Sequence, residues 1–166
     1  MLRIHKAGIG SIPVIQALTN AIWPVSYRDM ISQEQIAYMI ELIYSTSSLT
    51  EQIKNKGHQF IIVYDAERPV GFASYSPKYN NDYTVFRLHK LYVLPDQQGK
   101  GTGKLLLNYI IADIKPLDAT ILELNVNRHN KAFYFYEKMG FTIAKVEDID
   151  IGNGYFMNDY VMEKVL

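Results

Sequence analysis

The chain has 166 residues, enough for one domain with a buried core and fewer than two domains usually need, so we expect a single domain over residues 1–166. Lys plus Arg and Asp plus Glu both number 17, so no overall positive charge favours nucleic acid or an anionic membrane as a partner. The absence of cysteine excludes disulfides, thiolate metal sites and a covalent cysteine nucleophile.

The first half of the chain predicts a strand, three helices and then a β-hairpin. Ser32 and Gln35 form a capping-box pattern ahead of apolar residues at helical spacing, and Pro13 stands near a helix start, where proline is tolerated. The turn Glu67-Arg68-Pro69 separates two β-rich runs. The predicted ranges are a strand over 2–6, helices over 11–23, 32–44 and 48–56, and strands over 60–64 and 70–75.

The second half predicts alternating strands and helices. A long strand ends at Pro95, which cannot donate to a sheet ladder, and a helix ends at Pro116. The predicted ranges are strands over 83–94 and 120–126, helices over 105–114 and 130–139, and a closing pair of strands over 141–151 and 155–165. This order predicts a mixed α/β fold, antiparallel in its first half, with a parallel strand pair flanking the 105–114 helix.

A glycine-rich segment, LYVLPDQQGKGTGKLLL, joins the long strand to the 105–114 helix. It carries glycines at 99, 101 and 103, together with Lys100 and Lys104. Residues without a β-carbon can turn their N–H groups inward, and a helix start adds unpaired donors and partial positive charge. The segment therefore predicts a site for a phosphate or a pyrophosphate.

Two common phosphate-binding motifs do not fit this segment. A nucleoside-triphosphate P-loop needs Ser or Thr after its Gly-Lys pair, whereas Leu105 follows Lys104. A dinucleotide fingerprint GxGxxG would need glycine at 104 or 106, where Lys104 and Leu106 stand. An ordinary nucleotide-binding domain is therefore disfavoured.

The remaining pattern is QxxGxG at Gln98, Gly101 and Gly103, preceded by a hydrophobic strand. It resembles the acyl-CoA-binding motif of the GCN5-related N-acetyltransferase (GNAT) superfamily, and the resemblance runs from about residue 60 to residue 141. The second half of that signature is also present, as an Asn followed by Ala132, Phe135-Tyr136, Lys138 and Gly140-Phe141. The resemblance implies a GNAT-like α/β fold, with a mixed, mostly antiparallel central sheet of about seven strands flanked by helices, around a β-α-β acyl-CoA-binding core.

The same resemblance implies acetyl-CoA as the co-substrate and assigns the residues that hold it. Backbone groups of Leu91, Tyr92 and Val93 would pair with the pantetheine arm like an added strand. The residues whose N–H groups would hold the pyrophosphate are Gln98, Gly99, Lys100, Gly101, Thr102, Gly103 and Lys104. An Asn at the start of the next helix would also contact the cofactor, and both Asn127 and Asn130 are candidates; Asn130 equally suits a helix N-cap.

The resemblance assigns Tyr136 as the acid that protonates the departing thiolate, a role for which a phenol is chemically suited. For the base that takes the proton of the amine, His89 is a candidate because it shares side-chain parity with Leu91 and Val93 on the strand before the glycines. Glu123 on the next strand is its rival. The spacing of His and carboxylate residues gives no metal motif, so we expect a metal-independent reaction.

The predicted function is acetyl-CoA-dependent N-acetylation by direct attack of a primary amine. The acceptor would belong to a small molecule, with polyamines among the candidates, or to a peptide. The alternative is a non-catalytic CoA-sensing or partner-binding module. We also expect a cytoplasmic protein that does not bind a membrane, because the N-terminus lacks a signal-like apolar core and no run of about 18 apolar residues occurs. The balanced charge likewise predicts no nucleic-acid partner. Exposed aromatic edges make a homodimer a further candidate.

Overall fold

The computed structural model describes residues 1–166, which form seven strands and five α-helices. The strands are β1 (Leu2–Ala7), β2 (Gln59–Asp65), β3 (Arg68–Tyr79), β4 (Asp82–Val93), β5 (Ile121–Asn127), β6 (Thr142–Gly152) and β7 (Tyr155–Val165). The helices are α1 (Ile12–Ser26), α2 (Gln33–Tyr44), α3 (Thr46–Lys54), α4 (Thr102–Ile114) and α5 (Ala132–Lys138). None of the helices combines the length and apolar character that crossing a bilayer requires.

The seven strands form one sheet in the order β1-β2-β3-β4-β5-β7-β6. Strand β2 pairs antiparallel with β1 and β3, β7 pairs antiparallel with β5 and β6, and β4 pairs parallel with β5. The parallel ladder joins Val85–Leu88 to Ile121–Leu124 and ends there. The predicted mixed α/β sheet, with its parallel pair on either side of α4 in the sequence, is confirmed.

The contacts of the chain group into two compact units, and strands β3 and β4 contribute residues to both. The first unit comprises residues 1–76 and 90–110. Its core lies where α1 packs on α2 and α3 and where β2 and β3 present large apolar side chains, among them Phe60 and Phe72, both fully buried. The second unit comprises residues 77–89 and 111–166, and its core includes Leu122, Phe141 and Met162.

Strand β6 is an edge of the sheet and is exposed along most of its length. It carries four charged residues, Lys145, Glu147, Asp148 and Asp150, among the apolar ones. The β6–β7 hairpin closes through Gly152, Asn153 and Gly154, all of which have positive φ. Glycine adopts such angles without strain, which explains the Gly-Asn-Gly sequence at this turn.

Two elements, α1 and β3, extend past prolines at which the sequence predicted an end. Helix α1 continues past Pro24 to Ser26, where Tyr27 N donates to Trp23 O at 3.0 Å, because a proline in the last turn removes only one donor. Strand β3 begins at Arg68 and runs on to Tyr79, so it includes both Pro69 and Pro77. The Ser32 cap is confirmed, since its hydroxyl accepts from Gln35 N at 3.1 Å.

Candidate active site

The glycine-rich loop between β4 and α4 has the conformation of an anion cradle. A short 3₁₀ turn over 95–97 follows β4, after which Gly99 and Gly101 adopt φ values of 78° and 83°. Helix α4 begins at Thr102, and Leu105 N donates to Gly101 O at 3.0 Å. The amides that precede Leu105 at this helix start have no intrahelical acceptor, so they are free to donate to a ligand.

Thr102 tests whether this loop suits a phosphate. Its side chain is buried, yet its Oγ1 atom has no hydrogen-bond partner within the protein. A buried hydroxyl without a partner costs free energy, which an anionic acceptor at the start of α4 would offset. Lys100 and Lys104 are exposed beside it, whereas Gln98 N already donates to Pro95 O at 3.4 Å. The loop therefore fits a diphosphate group.

The backbone of β4 just before this loop is packed tightly against β3. A β-carbon on Gly71 would lie 2.8 Å from the carbonyl oxygen of Tyr92 and 3.4 Å from Cα of Val93. Leu94 N donates to Val70 O at 2.8 Å. Only glycine at position 71 lets the two backbones approach this closely, so β3 fixes the position of the segment 91–93 that was predicted to bind pantetheine.

Lys90, next to that segment, was missed by the sequence analysis. Its ammonium is buried without a carboxylate partner; it donates to Gln52 Oε1 at 2.6 Å and lies about 5.5 Å from the rings of Tyr44 and Phe60. Burial, reinforced by the charge of Lys56, lowers the pKa of Lys90 to about 7. The signal was present in the sequence, because Lys90 shares strand parity with the apolar residues Phe86 and Leu88.

An aromatic cluster surrounds this part of β4 within the first unit. The rings of Trp23 and Tyr92 lie 5.6 Å apart, and Phe72 and Tyr92 lie 5.7 Å apart. The hydroxyls of Tyr27 and Tyr92 are hydrogen-bonded at 3.0 Å. Burial is the main cause that raises the pKa of the Tyr44 phenol well above its usual value, so this tyrosine stays protonated.

The two candidate asparagines both shape the connection from β5 to α5 in the second unit. Asn127 Oδ1 accepts from His129 N at 2.9 Å, and Asn130 Oδ1 accepts from Ala132 N at 2.9 Å. The N-cap of α5 is Lys131, so Asn130 is not the expected N-cap; each asparagine instead closes a local turn by accepting from the N–H two residues later. Both side chains therefore have a local structural role through their oxygens, and cofactor binding by either remains a prediction.

Tyr136 is the buried member of the aromatic run 133–136 on α5. Its ring packs against Phe135 and Phe141 at centroid distances of 5.2 and 5.6 Å. Tyr134 on the same helix is 62 % exposed, which confirms that the four aromatic residues do not share one face. This packing restricts the ring of Tyr136 and also suits a core residue, and the acid role of Tyr136 stays a prediction.

The two candidate bases differ in their surroundings. Glu123 is buried, and its carboxylate forms ion pairs with Lys78, at 2.9 Å, and with Arg87 on β4. Two cations engage its oxygens, so it is poorly suited to accept a proton from an amine. His89 is half-buried on the same strand as Arg87 and stays the predicted base.

The structure thus divides the predicted residues between the two units. The segment 91–93 and the cradle 98–104 belong to the first unit. The second unit contains His89, Asn127, Asn130 and Tyr136. Thr102 gains support from its unpartnered buried hydroxyl, whereas the roles of the other residues remain predictions.

Comparison with known proteins identifies the family. The sequence profile of the acetyltransferase (GNAT) domain family matches residues 27–164. The chain is 38 % identical over 142 residues to the ribosomal protein bS18-alanine N-acetyltransferase of Haemophilus influenzae, covering 84 % of this chain and 88 % of that protein. It is 29 % identical over 140 residues to the peptidyl-lysine N-acetyltransferase YjaB of Salmonella typhimurium, covering 81 % and 83 % of the two chains.

A solved structure extends this likeness to the complete fold. The PaiA N-acetyltransferase of Thermoplasma acidophilum, crystallised in complex with coenzyme A, superposes with a TM-score of 0.83 at 26 % identity. The match covers 100 % of this chain and 99 % of the other. With its profile match, its bacterial relatives and its seven-stranded sheet, the chain belongs to the GNAT family of N-acetyltransferases, and its activity is that of an N-acyltransferase.

Proposed function

We propose that this protein transfers the acetyl group of acetyl-CoA to a primary amine by direct attack, without a metal and without a covalent enzyme intermediate. The observation that carries the proposal is the cradle between β4 and α4. There, positive-φ glycines precede a helix start that contains the buried, unpartnered hydroxyl of Thr102.

The chain provides two elements for holding the cofactor. The amides of residues 99–104 would donate to the diphosphate, with Lys100 and Lys104 neutralising its charge. The pantetheine arm would pair with the backbone of residues 91–93, which lie beyond the end of the β4–β5 ladder at Leu88. When bound, acetyl-CoA supplies the thioester that the amine attacks.

Two side chains would carry the proton transfers. His89 takes a proton from the amine nitrogen as its bond to the acetyl carbon forms. The phenol of Tyr136 gives a proton to the thiolate as the carbon–sulfur bond breaks. An inward-facing N–H near Val93 would donate to the carbonyl oxygen while negative charge develops on it. No cysteine or serine nucleophile is needed, consistent with a chain that lacks cysteine.

The relatives favour a peptide amine as the acceptor. One is named for the alanine of a ribosomal protein and the other for peptidyl-lysine, so both names specify primary amines of polypeptides. A small amine, including a polyamine, remains the alternative acceptor class. Metal independence, a cytoplasmic location, a homodimer and the absence of nucleic-acid binding stay predictions. The single domain over 1–166 also stays a prediction, supported by a family match that spans residues of both units.

A thiol-release assay with acetyl-CoA tests the proposed function. The acceptors would be a peptide with a free N-terminal alanine, an N-acetylated peptide with one lysine, spermidine, an aminoglycoside and free amino acids. We expect release with at least one amine, undiminished by a chelator, together with a higher melting temperature in acetyl-CoA. Stabilisation by acetyl-CoA without release for any acceptor would instead favour the CoA-sensing alternative.

A further inference from the structure

A row of polar side chains crosses three strands of the second unit. Asp159 on β7 lies directly opposite Asn127 of β5 and directly opposite Glu147 of β6. Directly opposite residues of an antiparallel ladder project from the same face of the sheet. Two carboxylates and an amide therefore share one face, with Asp159 at the centre of the row.

Asp159 is buried to an unusual degree for a carboxylate, at 4 % exposure. Its Oδ2 atom accepts a hydrogen bond from Asn125 Nδ2 at 3.2 Å, whereas its buried Oδ1 atom has no partner within the protein. Burial raises the pKa of this carboxyl above its usual value, and the nearby charge of Glu147 adds to the rise. Buried carboxylates are normally paired or fully hydrogen-bonded.

The nearby cations do not form ion pairs with this carboxylate. Arg87 is engaged by Glu123 and by the side-chain oxygen of Asn125. Arg128 forms an ion pair with Asp148 at 2.7 Å. Its hydrogen bond to Asp159 goes to the backbone carbonyl, at 3.3 Å, and not to the carboxylate. Both arginines lower the pKa of Asp159 from a distance, but neither supplies a donor to Oδ1. The buried Oδ1 atom therefore has an acceptor position that no donor of the protein fills.

We propose that Asp159, flanked by Glu147, binds the acceptor amine as its ammonium ion, which gives one proton to solvent before the neutral nitrogen attacks the thioester and His89 takes the second proton. The inference rests on the proposed function, and it narrows the acceptor to amines that carry a positive charge in solution. An ammonium group brings both properties that Oδ1 lacks, a hydrogen-bond donor and a compensating charge. Glu147, opposite Asp159 in the ladder, is 34 % exposed and pairs with the more exposed Lys145 at 2.9 Å, so its charge is shared with that lysine while Asp159 has no cationic partner.

The test compares Asp159→Asn with Asp150→Asn, a control on the same hairpin whose carboxylate is exposed and accepts from Gly152 N, a bond that asparagine can keep. Calorimetry of the CoA-saturated protein would measure binding of the alanine peptide, the lysine peptide and spermidine. A fourth ligand, the alanine peptide with hydroxyl in place of its amino group, keeps the shape and removes the charge. A melting curve accompanies each variant.

We expect Asp159→Asn to bind the preferred amine at least tenfold more weakly, with unchanged affinity for the hydroxyl peptide and for CoA. Its melting temperature should equal or exceed that of the wild type, because the isosteric amide removes an uncompensated buried charge. Asp150→Asn should bind the amine as the wild type does. A buried water on Oδ1 would instead give a lower melting temperature with unchanged amine affinity.

Three outcomes would overturn the inference: equal amine affinity in the wild type and Asp159→Asn, equal weakening for the amine and the hydroxyl peptide, or no binding of any amine. Thiol release by the wild type combined with an unchanged KM in Asp159→Asn would leave the proposed function standing without this binding site. Amine binding that depends on Asp159, without thiol release, would remove the proposed function and keep the site.

Discussion

The ammonium of Lys90 donates to the side-chain carbonyl of Gln52 inside the first unit, at 2.6 Å and without any carboxylate nearby to neutralise it. The Nε2 group of Gln52 donates to Ile43 O at 2.8 Å and to Ser48 Oγ at 3.1 Å, and these bonds orient its carbonyl oxygen toward Lys90. A buried cation that is met only by an amide oxygen and aromatic rings is stabilised weakly in its charged form. The stability of the protein should therefore depend on pH.

The first prediction concerns that dependence. The pKa of Lys90 is about 7 in the folded protein against 10.5 in an unfolded chain, so between these values the unfolded chain holds a proton that the folded protein has released. The free energy of unfolding should therefore rise with pH across this window, by about 2 kcal/mol from about pH 7.5 to about pH 9.5. Urea unfolding at several pH values measures it. Lys90→Met should flatten the slope, and the exposed control Lys115→Met should keep it; an unchanged slope in Lys90→Met contradicts the prediction.

The second prediction concerns Tyr136. Replacing it with Phe removes the acidic proton but keeps the packing against Phe141, so kcat should fall about a hundredfold while the KM for acetyl-CoA and the melting temperature change little. Steady-state thiol release measures both constants. Tyr134→Phe, which changes an exposed tyrosine of the same helix, is the control and should match the wild type. Equal losses in kcat and in cofactor affinity would remove Tyr136 from the acid role.

The third prediction concerns the cradle. Thr102→Val removes the unpartnered hydroxyl, so the stability of the protein should stay the same or increase while CoA binds about tenfold more weakly.

Gly101→Ala places a β-carbon at a φ of 83°. It should lower the stability of the protein by about 1–2 kcal/mol and also weaken the binding of CoA. Gly154→Ala imposes the same strain at 79° in the β6–β7 turn and should lower stability alone. Calorimetry with CoA separates these cases, and full affinity in both cradle variants would argue against the diphosphate site.

The fourth prediction concerns the contact between β3 and β4. Gly71→Ala forces the backbone at Tyr92 to move, because a carbonyl oxygen 2.8 Å from the new β-carbon cannot rotate away. We expect a loss of about 1–3 kcal/mol and weaker CoA binding. Gly8→Ala, where a β-carbon meets nothing within 4 Å, is the matched control. Wild-type melting and affinity in Gly71→Ala would show that this close approach does not position the segment.

The fifth prediction separates the two candidate bases. His89→Gln should lower kcat about a hundredfold with little change in stability, as expected for a residue that takes the proton of the amine. Glu123→Gln should instead lower stability by about 2 kcal/mol, because Lys78 and Arg87 lose their shared partner. Unfolding curves and turnover numbers of the two variants decide between the roles. The opposite pattern would make Glu123 the base.

The sequence predicted the elements wherever local rules determine the backbone. The cap at Ser32, the stop at Pro95 and the turn at Gly152-Asn153-Gly154 were all identified, since each depends on a few neighbouring residues. Element ends differed where sheet pairing overrides proline, as in β3 at Pro69 and Pro77. Helix α5 starts two residues later than predicted for a local reason, because the side chain of Asn130 accepts from the N–H of Ala132, the first residue of the helix.

The candidate site could be predicted only in part. The glycine pattern of the cradle can be read directly from the sequence. The surroundings of Lys90, Gly71 and Asp159 cannot, because they are formed by residues distant in sequence. Asp159, for example, becomes notable only when the strand register places it between Asn127 and Glu147 and leaves one oxygen unpaired. Long-range pairing of this kind is not encoded in any short motif.

The charged residues of the edge strand β6 also affect self-association. An exposed edge offers unpaired backbone groups to strands of other molecules, and Ile143 and Val146 would make such a pairing attractive. The charged side chains of this strand, Lys145, Glu147, Asp148 and Asp150, oppose it, because pairing with another strand would remove water from them. An uncovered edge strand with hydrated charges is protected from strand addition, so β6 needs no helix or loop to cover it.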